Sequence, residues 1–529
     1  MPSDCVSYKK SGYFSKLMVD YLDETSNLKG LYNRFPSIEN FKLQWEEKQK
    51  NFPTENRKVL VEQLKLQYKN TETSIITAEN IALLSKENTF TIATGHQLNL
   101  FTGPLYFLYK IVSTINLCKE LKQNYPSQNF IPVYWMATED HDFDEINHFW
   151  LGNNKIEWKK ESFGPVGRLS TEGLDAAFKH FDKEIGIGKN AEYLKKLFKK
   201  GYLENENLAE ATRYIANELF KNEGLVILDG DSKALKSLFV PFAKEELLNQ
   251  TASLKVLETN KQLANYKIQV NPREINLFYI EDNLRERIVL ENDRYSVLNT
   301  NLQFTKEELL KELEKNTEKF SPNVILRPLY QEVVLPNLCY IGGGGELAYW
   351  LELKSNFDAN KITFPMLLLR NSVVIATEKQ IQKADKLKLS WADLFKKQKD
   401  LLDLKTKDLS NLTIDFSAQK EMLKKQFLYL NEVALQTDKS FVGAVKAQEI
   451  KQIKGLENLE KRLLKAEKRK LSEELNRIEE LQNELFPKGT LQERKANFSE
   501  FYAKSGDKMI IELLENLKPL NQSFSILKF

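Results

Sequence analysis

"TFTIATGHQLNLFTGPLYFLYKIVSTINLCKELKQNYPSQNFIPVYWMAT", residues 89–138, decides the fold. "TFTIATG" (89–95) is short, β-branched and ends in glycine, which is the pattern of a buried strand. "GPLYFLYKIVSTINLCKELKQ" then reads as a helix, with Pro104 at its first position and Gly103 or Thr102 as the cap. "NFIPVYWMAT" (129–138) is a second strand. Strand, helix and strand in some fifty residues make a parallel βαβ unit. The texture recurs in "GLVILDG" (224–230), "NVILRPLY" (323–330), "LCYIG" (338–342) and "ITFPMLLLR" (362–370). Apolar strands alternating with helices predict an α/β fold, a Rossmann-like doubly wound parallel sheet.

Residues 1–85 read as helices leading into this sheet. Two charged stretches, about 150–222 and 243–320, read as insertions within a core spanning 1–376. Beyond Thr377 the strand signal stops, and 378–486 is a charged helical tract without proline until Pro487. Leu456, Leu459, Leu463 and Ala466 follow 3-4-3 spacing, and Leu471, Ile478 and Leu485 follow sevens. That pattern predicts a coiled-coil domain over 377–488 with one stutter. A helix over about 417–438 would pair with it antiparallel across "QTDKSF". Residues 489–529 are expected to return to the core.

The 529 residues carry 42% apolar and 29% charged side chains and a net charge of +3. Basic residues are interleaved with glutamate, so the unbalanced face that nucleic acid requires is absent. Three scattered cysteines, Cys5, Cys118 and Cys339, outline neither a disulfide framework nor a zinc site. With no basic-then-apolar leader and no uncharged run of membrane-spanning length, the expectation is a cytoplasmic protein that binds no membrane.

Ligands of open parallel sheets bind beyond the carboxyl ends of the strands. Three unusual segments fall at such ends: "TGHQLNLFTGP", "TEDHDFDE" and "GGGGE". In the second, Asp142 suits a helix N-cap and Asp144 and Glu145 a helix first turn, which accounts for them structurally. Glu139, Asp140 and His141 precede that helix and need another reason. The spacing of His141 and His148 matches no transition-metal motif, and no metal-ligating set is expected, although carboxylates beside phosphate leave room for Mg2+. The alternative is a substrate site, where carboxylates hold an ammonium group or take its proton. Four glycines entering a helix let backbone N–H groups approach an anion. Arg327 and Arg370, at the ends of predicted strands, are candidate anion clamps.

"TGHQLNLFTGPLYFLYKI", "IPVYWMATEDHDFDEINH" and "SPNVILRPLYQEVVLPNLCYIGGGGELAYW", in this order and followed by a coiled coil, closely resemble the bacillithiol biosynthesis cysteine-adding enzyme family, BshC. The resemblance covers essentially the whole chain. It implies a Rossmann-like core similar to nucleotidylyltransferases and class I aminoacyl-tRNA synthetases, and a coiled coil used in homodimerisation. It also implies a carbon–nitrogen ligase adding cysteine to the amine of glucosaminyl-malate. Amide formation in water is uphill, so ATP or an equivalent donor is expected, with ADP a candidate ligand and Mg2+ compatible. Relatives commonly carry glutamine at the position of His96, which casts His96 as a hydrogen-bond donor rather than an acid–base group.

The expected catalytic set is Glu139, Asp140, His141 and Asp142. The expected substrate- and nucleotide-binding set is Thr94, Gly95, His96, Gln97, Thr102, Gly103, Tyr106, Arg327, Gly342, Gly343, Gly344, Gly345, Glu346 and Tyr349. A nucleotidylyltransferase-like enzyme on another acid–amine pair, or a scaffold acting through the coiled coil, stays open beside this reading.

Overall fold

The computed structural model describes residues 4–529. Residues up to Val374, rejoined by Gln492–Leu527, form one compact unit, and Ile375–Leu491 form a second.

The first unit is built on five parallel strands: β1 (Thr89–His96), β2 (Asn129–Met136), β3 (Val226–Asp229), β4 (Asn337–Gly342) and β5 (Met366–Leu369). Their spatial order is β5-β4-β1-β2-β3. Registers such as Gly342↔Leu369, Tyr340↔Ala93, His96↔Met136 and Met136↔Asp229 bring the carboxyl ends to one edge. Read from the other edge this is 3-2-1-4-5, five strands of the Rossmann order, and it reverses between β1 and β4, where the sheet opens a crevice. Every residue of β1 and β4 is buried, because helices cover both faces and leave no polar side to the strands. Phe90, Ile92, Leu117, Leu121, Phe130, Leu338, Ile341 and Met366 join in one apolar core.

Helix α1 (Tyr106–Asn124) crosses over between β1 and β2. It begins two residues later than its proline predicts. Phe101 and Thr102 have positive φ, and the Leu105 N–H donates to Ala496 O (2.9 Å), so the chain turns first and is pinned before the helix starts. "NVILRPLY" is not a strand. The Asn323 side-chain oxygen accepts from the N–H groups of Ile325 (2.9 Å) and Leu326 (3.3 Å), and helix α2 (Arg327–Val334) follows with Pro328 in its first turn. Helix α3 (Gly344–Glu352) leaves β4 directly through the glycine run.

The second insertion folds as an antiparallel sheet that includes the hairpin Leu277–Glu281/Leu284–Glu291. At the other end of the chain, Ser523–Lys528 pairs antiparallel with Asp4–Ser7, placing Val6 opposite Phe524. That strand is too short and isolated to be read from the sequence.

The second unit contains α4 (Ser417–Ala434), α5 (Lys439–Lys470) and α6 (Ser472–Leu485). Asp438 caps α5 by accepting from Ser440 N (2.8 Å) and Phe441 N (3.1 Å). Phe427, Ala434 and Val445 close the α4–α5 hairpin, and Lys420 bridges Glu460 at 2.6 Å. The leucine stripe is corrected in two places. Its phase slip is a helix end at Leu471 (φ −97°, ψ 18°) rather than a stutter in one helix. Leu459 points to solvent, while Leu475, Ile478, Leu481 and Leu485 are buried. A single partner helix covers too narrow a strip of α5 to take every leucine of the 3-4-3 series. Among the described residues no helix is long and apolar enough to cross a membrane.

Candidate active site

The crevice between β1 and β4 opens into a cavity of ≈ 800 Å3. The loop after β1 contributes Gly95, His96 and Gln97, and the loop after β2 contributes Glu139 to Asp142. Gly343 to Glu346 and Tyr349 come from the start of α3, Arg327 from the start of α2 and Tyr106 from α1. Three quite separate stretches of chain thus meet because parallel strands deliver all their exits to one edge.

Lys110 organises the inner end. This lysine sits in an otherwise apolar stretch of α1, is 3% exposed, and its Nζ lies 2.7 Å from Glu346 Oε1 while donating to Gly95 O at 2.8 Å. Glu346 also accepts from the Gly343 N–H (2.6 Å) and from Tyr340 Oη (3.3 Å). Burial would raise the Glu346 carboxyl, but Lys110, the Gly343 N–H and Arg327 outweigh it and hold it below its ordinary value. Arg327 donates to Tyr349 Oη (3.3 Å) and Gln331 Oε1 (3.2 Å), with no carboxylate in salt-bridge range among the described residues. His96 packs edge-on to Tyr106, and its Nε2 is buried without a partner. Burial, then Lys110 and Arg370, push its imidazole well below the ordinary histidine value, so it is neutral at pH 7.

The outer wall carries the acids. Gln97 donates to Asp140 Oδ2 (2.9 Å) and Glu145 Oε2 (3.1 Å), and the His141 N–H donates to Asp140 Oδ1 (2.8 Å). Burial opposes ionisation of Asp140, but His141, Gln97 and Arg285 together hold it far below the carboxylate range. Glu139 turns the other way. Its Oε1 lies 2.7 Å from Lys236 Nζ, which also pairs with Asp231 at 2.8 Å. Burial raises the Glu139 carboxyl even so. Asp142 occupies the N-cap position of a single helical turn, Phe143–Ile146, without making a side-chain cap bond.

Four expected binding residues lie outside the cavity. Thr94 donates its hydroxyl to Ile341 O (2.7 Å), tying β1 to β4. Thr102 is buried, and the Gly103 carbonyl accepts from Asn497 Nδ2 (2.6 Å) while its N–H donates to Leu100 O (2.9 Å). The expected anion site at that helix start is therefore sealed by the C-terminal segment. The Gly342 carbonyl accepts from Arg370 N (2.9 Å), and its side-chain position is blocked by the Tyr340 ring. Arg370 is also corrected as an anion clamp, since its Nη2 is spent on Glu493 Oε1 at 2.7 Å.

Asp140, His141 and Asp142 bring ligand-type atoms within 4.8 Å of one another. Arg285 Nη1 already stands 2.5 Å from His141 Nδ1 and 4.0 Å from Asp140 Oδ1. A guanidinium there would repel a divalent ion, so the triad does not fit a protein-held metal. For a nucleotide the residues do fit. The open start of α3, Arg327 and the unpartnered His96 Nε2 offer donors to phosphate oxygens.

Sequence reasoning missed Lys110, Arg273, Arg285, Arg287 and Arg494. A lone lysine inside "LYFLYKIVSTINL" was a legible signal. The arginines were not, since they reach the cavity from the second insertion and from the distant C-terminal segment. With them, seven basic side chains (Lys110, Arg273, Arg285, Arg287, Arg327, Arg370, Arg494) face four acidic ones (Glu139, Asp140, Asp142, Glu346). Such a lining attracts anionic ligands.

Comparison with known proteins agrees with this architecture. Residues 1–371 match the family described as "Bacillithiol biosynthesis BshC, N-terminal Rossmann-like domain", and residues 373–529 match "Bacillithiol biosynthesis BshC, C-terminal coiled-coil domain". A Flavobacterium johnsoniae protein named "Putative cysteine ligase BshC" is 63% identical over 100% of both chains. Proteins of the same name from Christiangramia forsetii and Bacillus cereus are 55% and 30% identical, covering 100% and 85% of this chain and 99% and 87% of their own. The chain belongs to the BshC family of bacillithiol biosynthesis.

Proposed function

We propose that the protein joins the carboxylate of cysteine to the amine of glucosaminyl-malate in the cavity at the β1–β4 crevice, with ATP supplying the activation. The observation that carries this reading is the lining itself. Of its seven basic side chains, Lys110 and Arg370 are paired with Glu346 and Glu493, and the other five suit a nucleotide and a polyanionic acceptor, while an ionised Asp140 beside Arg285 holds an amine. The cysteine carboxylate attacks the γ- or α-phosphorus of ATP, which gives a mixed anhydride with phosphate and releases ADP, or one with AMP and releases pyrophosphate. The acceptor amine attacks its carbonyl carbon, loses a proton, and expels the phosphate-containing group as the amide forms.

The side chains divide this work. Arg327 and the backbone N–H groups at the start of α3 hold phosphate oxygens, positioned by the Lys110–Glu346 pair. His96, neutral, donates from Nε2 to a ligand oxygen. Asp140 is too strongly acidic to be an efficient general base at neutral pH, so it anchors the ammonium form and orients the amine. Glu139, bound to Lys236, fixes the loop. Asp142, an exposed member of the wall, is left to accept the proton, while His141 holds the Arg285 guanidinium through Nδ1 at 2.5 Å.

Calorimetric titration of the purified protein with ATP and ADP, with and without Mg2+, tests the nucleotide assignment, which fails if neither binds. Supplying ATP with different acid–amine pairs tests the substrates; product from another pair and none from cysteine with glucosaminyl-malate would replace this reading by its nucleotidylyltransferase-like alternative. A homodimer through α4 and α5 is part of the same proposal, supported by the exposed apolar side chains Leu428 and Tyr429 on α4 and Leu435 just beyond it.

A further inference from the structure

The hairpin that lines part of the cavity carries two arginines that the ligation chemistry leaves unused. Arg285 and Arg287 are two residues apart on the strand Leu284–Glu291, so strand alternation puts both on one face. The register sets Phe278 opposite Arg287 and Ile280 opposite Arg285, and Phe278 and both arginines line the cavity. The Arg285 guanidinium stacks 4.0 Å from the centre of the Phe278 ring and its side chain is only 9% exposed. The Nε of each arginine is buried with no partner. Asp140, at 4.0 Å from Arg285, is the nearest carboxylate to the pair, and among the described residues Arg287 has no ion-pair partner at all.

Arg285 keeps one Nη against His141 Nδ1 (2.5 Å), but the buried Nε of each arginine is left unpaired, which is costly, and a planar fork stacked on an aromatic ring is preorganised for a carboxylate. We propose that Arg285 and Arg287 form the subsite for the two-carboxylate end of the acceptor, one fork to each carboxylate. This inference rests on the ligation reading and adds where the acceptor lies. Its diacid end sits under the hairpin, and its amine reaches the neighbouring Asp140. Phosphate is the less suitable occupant here, because backbone donors at the start of α3 and Arg327 already provide for it elsewhere in the cavity.

The test is calorimetric titration of wild type, Arg287→Gln and Arg287→Lys with L-malate, with inorganic phosphate and with ADP, after circular dichroism has verified folding. Wild type is expected to bind L-malate at millimolar concentration, Arg287→Gln about tenfold more weakly, and Arg287→Lys in between. ADP affinity is expected to be the same in all three. In turnover, Arg287→Gln should raise KM for glucosaminyl-malate about tenfold and leave KM for cysteine unchanged. Absence of L-malate binding to wild type, or affinity retained within twofold in Arg287→Gln, overturns the subsite. So does a parallel loss for phosphate or ADP, which would give the arginines to the nucleotide. Failure of the ligation reading looks different: wild type forms no amide, yet L-malate binding still depends on Arg287.

Discussion

Lys110 Nζ and Glu346 Oε1 stand 2.7 Å apart across the point where the sheet reverses its strand order. The pair ties the crossover helix after β1 to the helix that leaves β4, and it fixes the two lips of the cavity. Both groups are satisfied within the protein, since Lys110 also donates to Gly95 O and Glu346 also accepts from Gly343 N. Burial lowers the lysine's proton affinity, and Glu346 only partly restores it.

Lys110→Met removes the buried cation and leaves the Glu346 carboxylate, 28% exposed, with only the Gly343 N–H and the Tyr340 hydroxyl as partners. The expected cost is about 3 kcal/mol in urea unfolding. ADP affinity should fall with it, because Gly343 and the start of α3 lose their fixed position. An unchanged unfolding midpoint would show that Glu346 finds another partner.

Glu352 closes the same helix α3 at its far end and accepts from the N–H groups of Gln269 (2.7 Å) and Val270 (3.2 Å), which belong to the cavity wall. Burial pushes its carboxyl up to about 7 against the pull of those two bonds. An acid whose folded value is raised favours the folded state at low pH and loses that contribution as pH rises through the folded value. Between pH 5 and 8 the wild type should lose on the order of 1–2 kcal/mol more stability than Glu352→Gln, allowing for solvent screening. Denaturant unfolding at the two pH values measures the difference, and parallel pH dependence in the two proteins would contradict it.

Leu428 and Leu435 are 63% and 73% exposed on or beside α4. If they pack against a second copy, Leu428→Asp with Leu435→Asp should convert a dimer to a monomer in light scattering. A wild type of monomer mass removes the dimer. Retained turnover in a protein lacking 417–486 would further exclude a scaffold role for the hairpin.

The parallel sheet was legible because strands buried on both faces read as unbroken apolar runs, as in "TFTIATG" and "LCYIG". "NVILRPLY" misled for a local reason: the Asn323 side chain supplies the bonds that a strand neighbour would have made. Thr102 and Gly103 misled for a distant one, since Asn497, 394 residues beyond Gly103, takes the carbonyl at the expected site. The acidic segment divided as its sequence suggested only in part. Glu139 and Asp140 both line the cavity, but Glu139 is held in an ion pair with Lys236 that no local pattern announces. Arg285 and Arg287 depend on the register of an inserted hairpin, which alternation alone does not aim.

The most direct test of the central claim is bacillithiol formation in cells whose only copy of the protein carries Asp140→Asn. The substitution keeps the size of the side chain and removes the charge that Gln97 and the His141 N–H support. If Asp140 anchors the acceptor amine, bacillithiol made per folded protein should fall at least ~100-fold. Bacillithiol at the wild-type level, with the variant present at normal abundance, would contradict the assignment of this cavity as the ligation site.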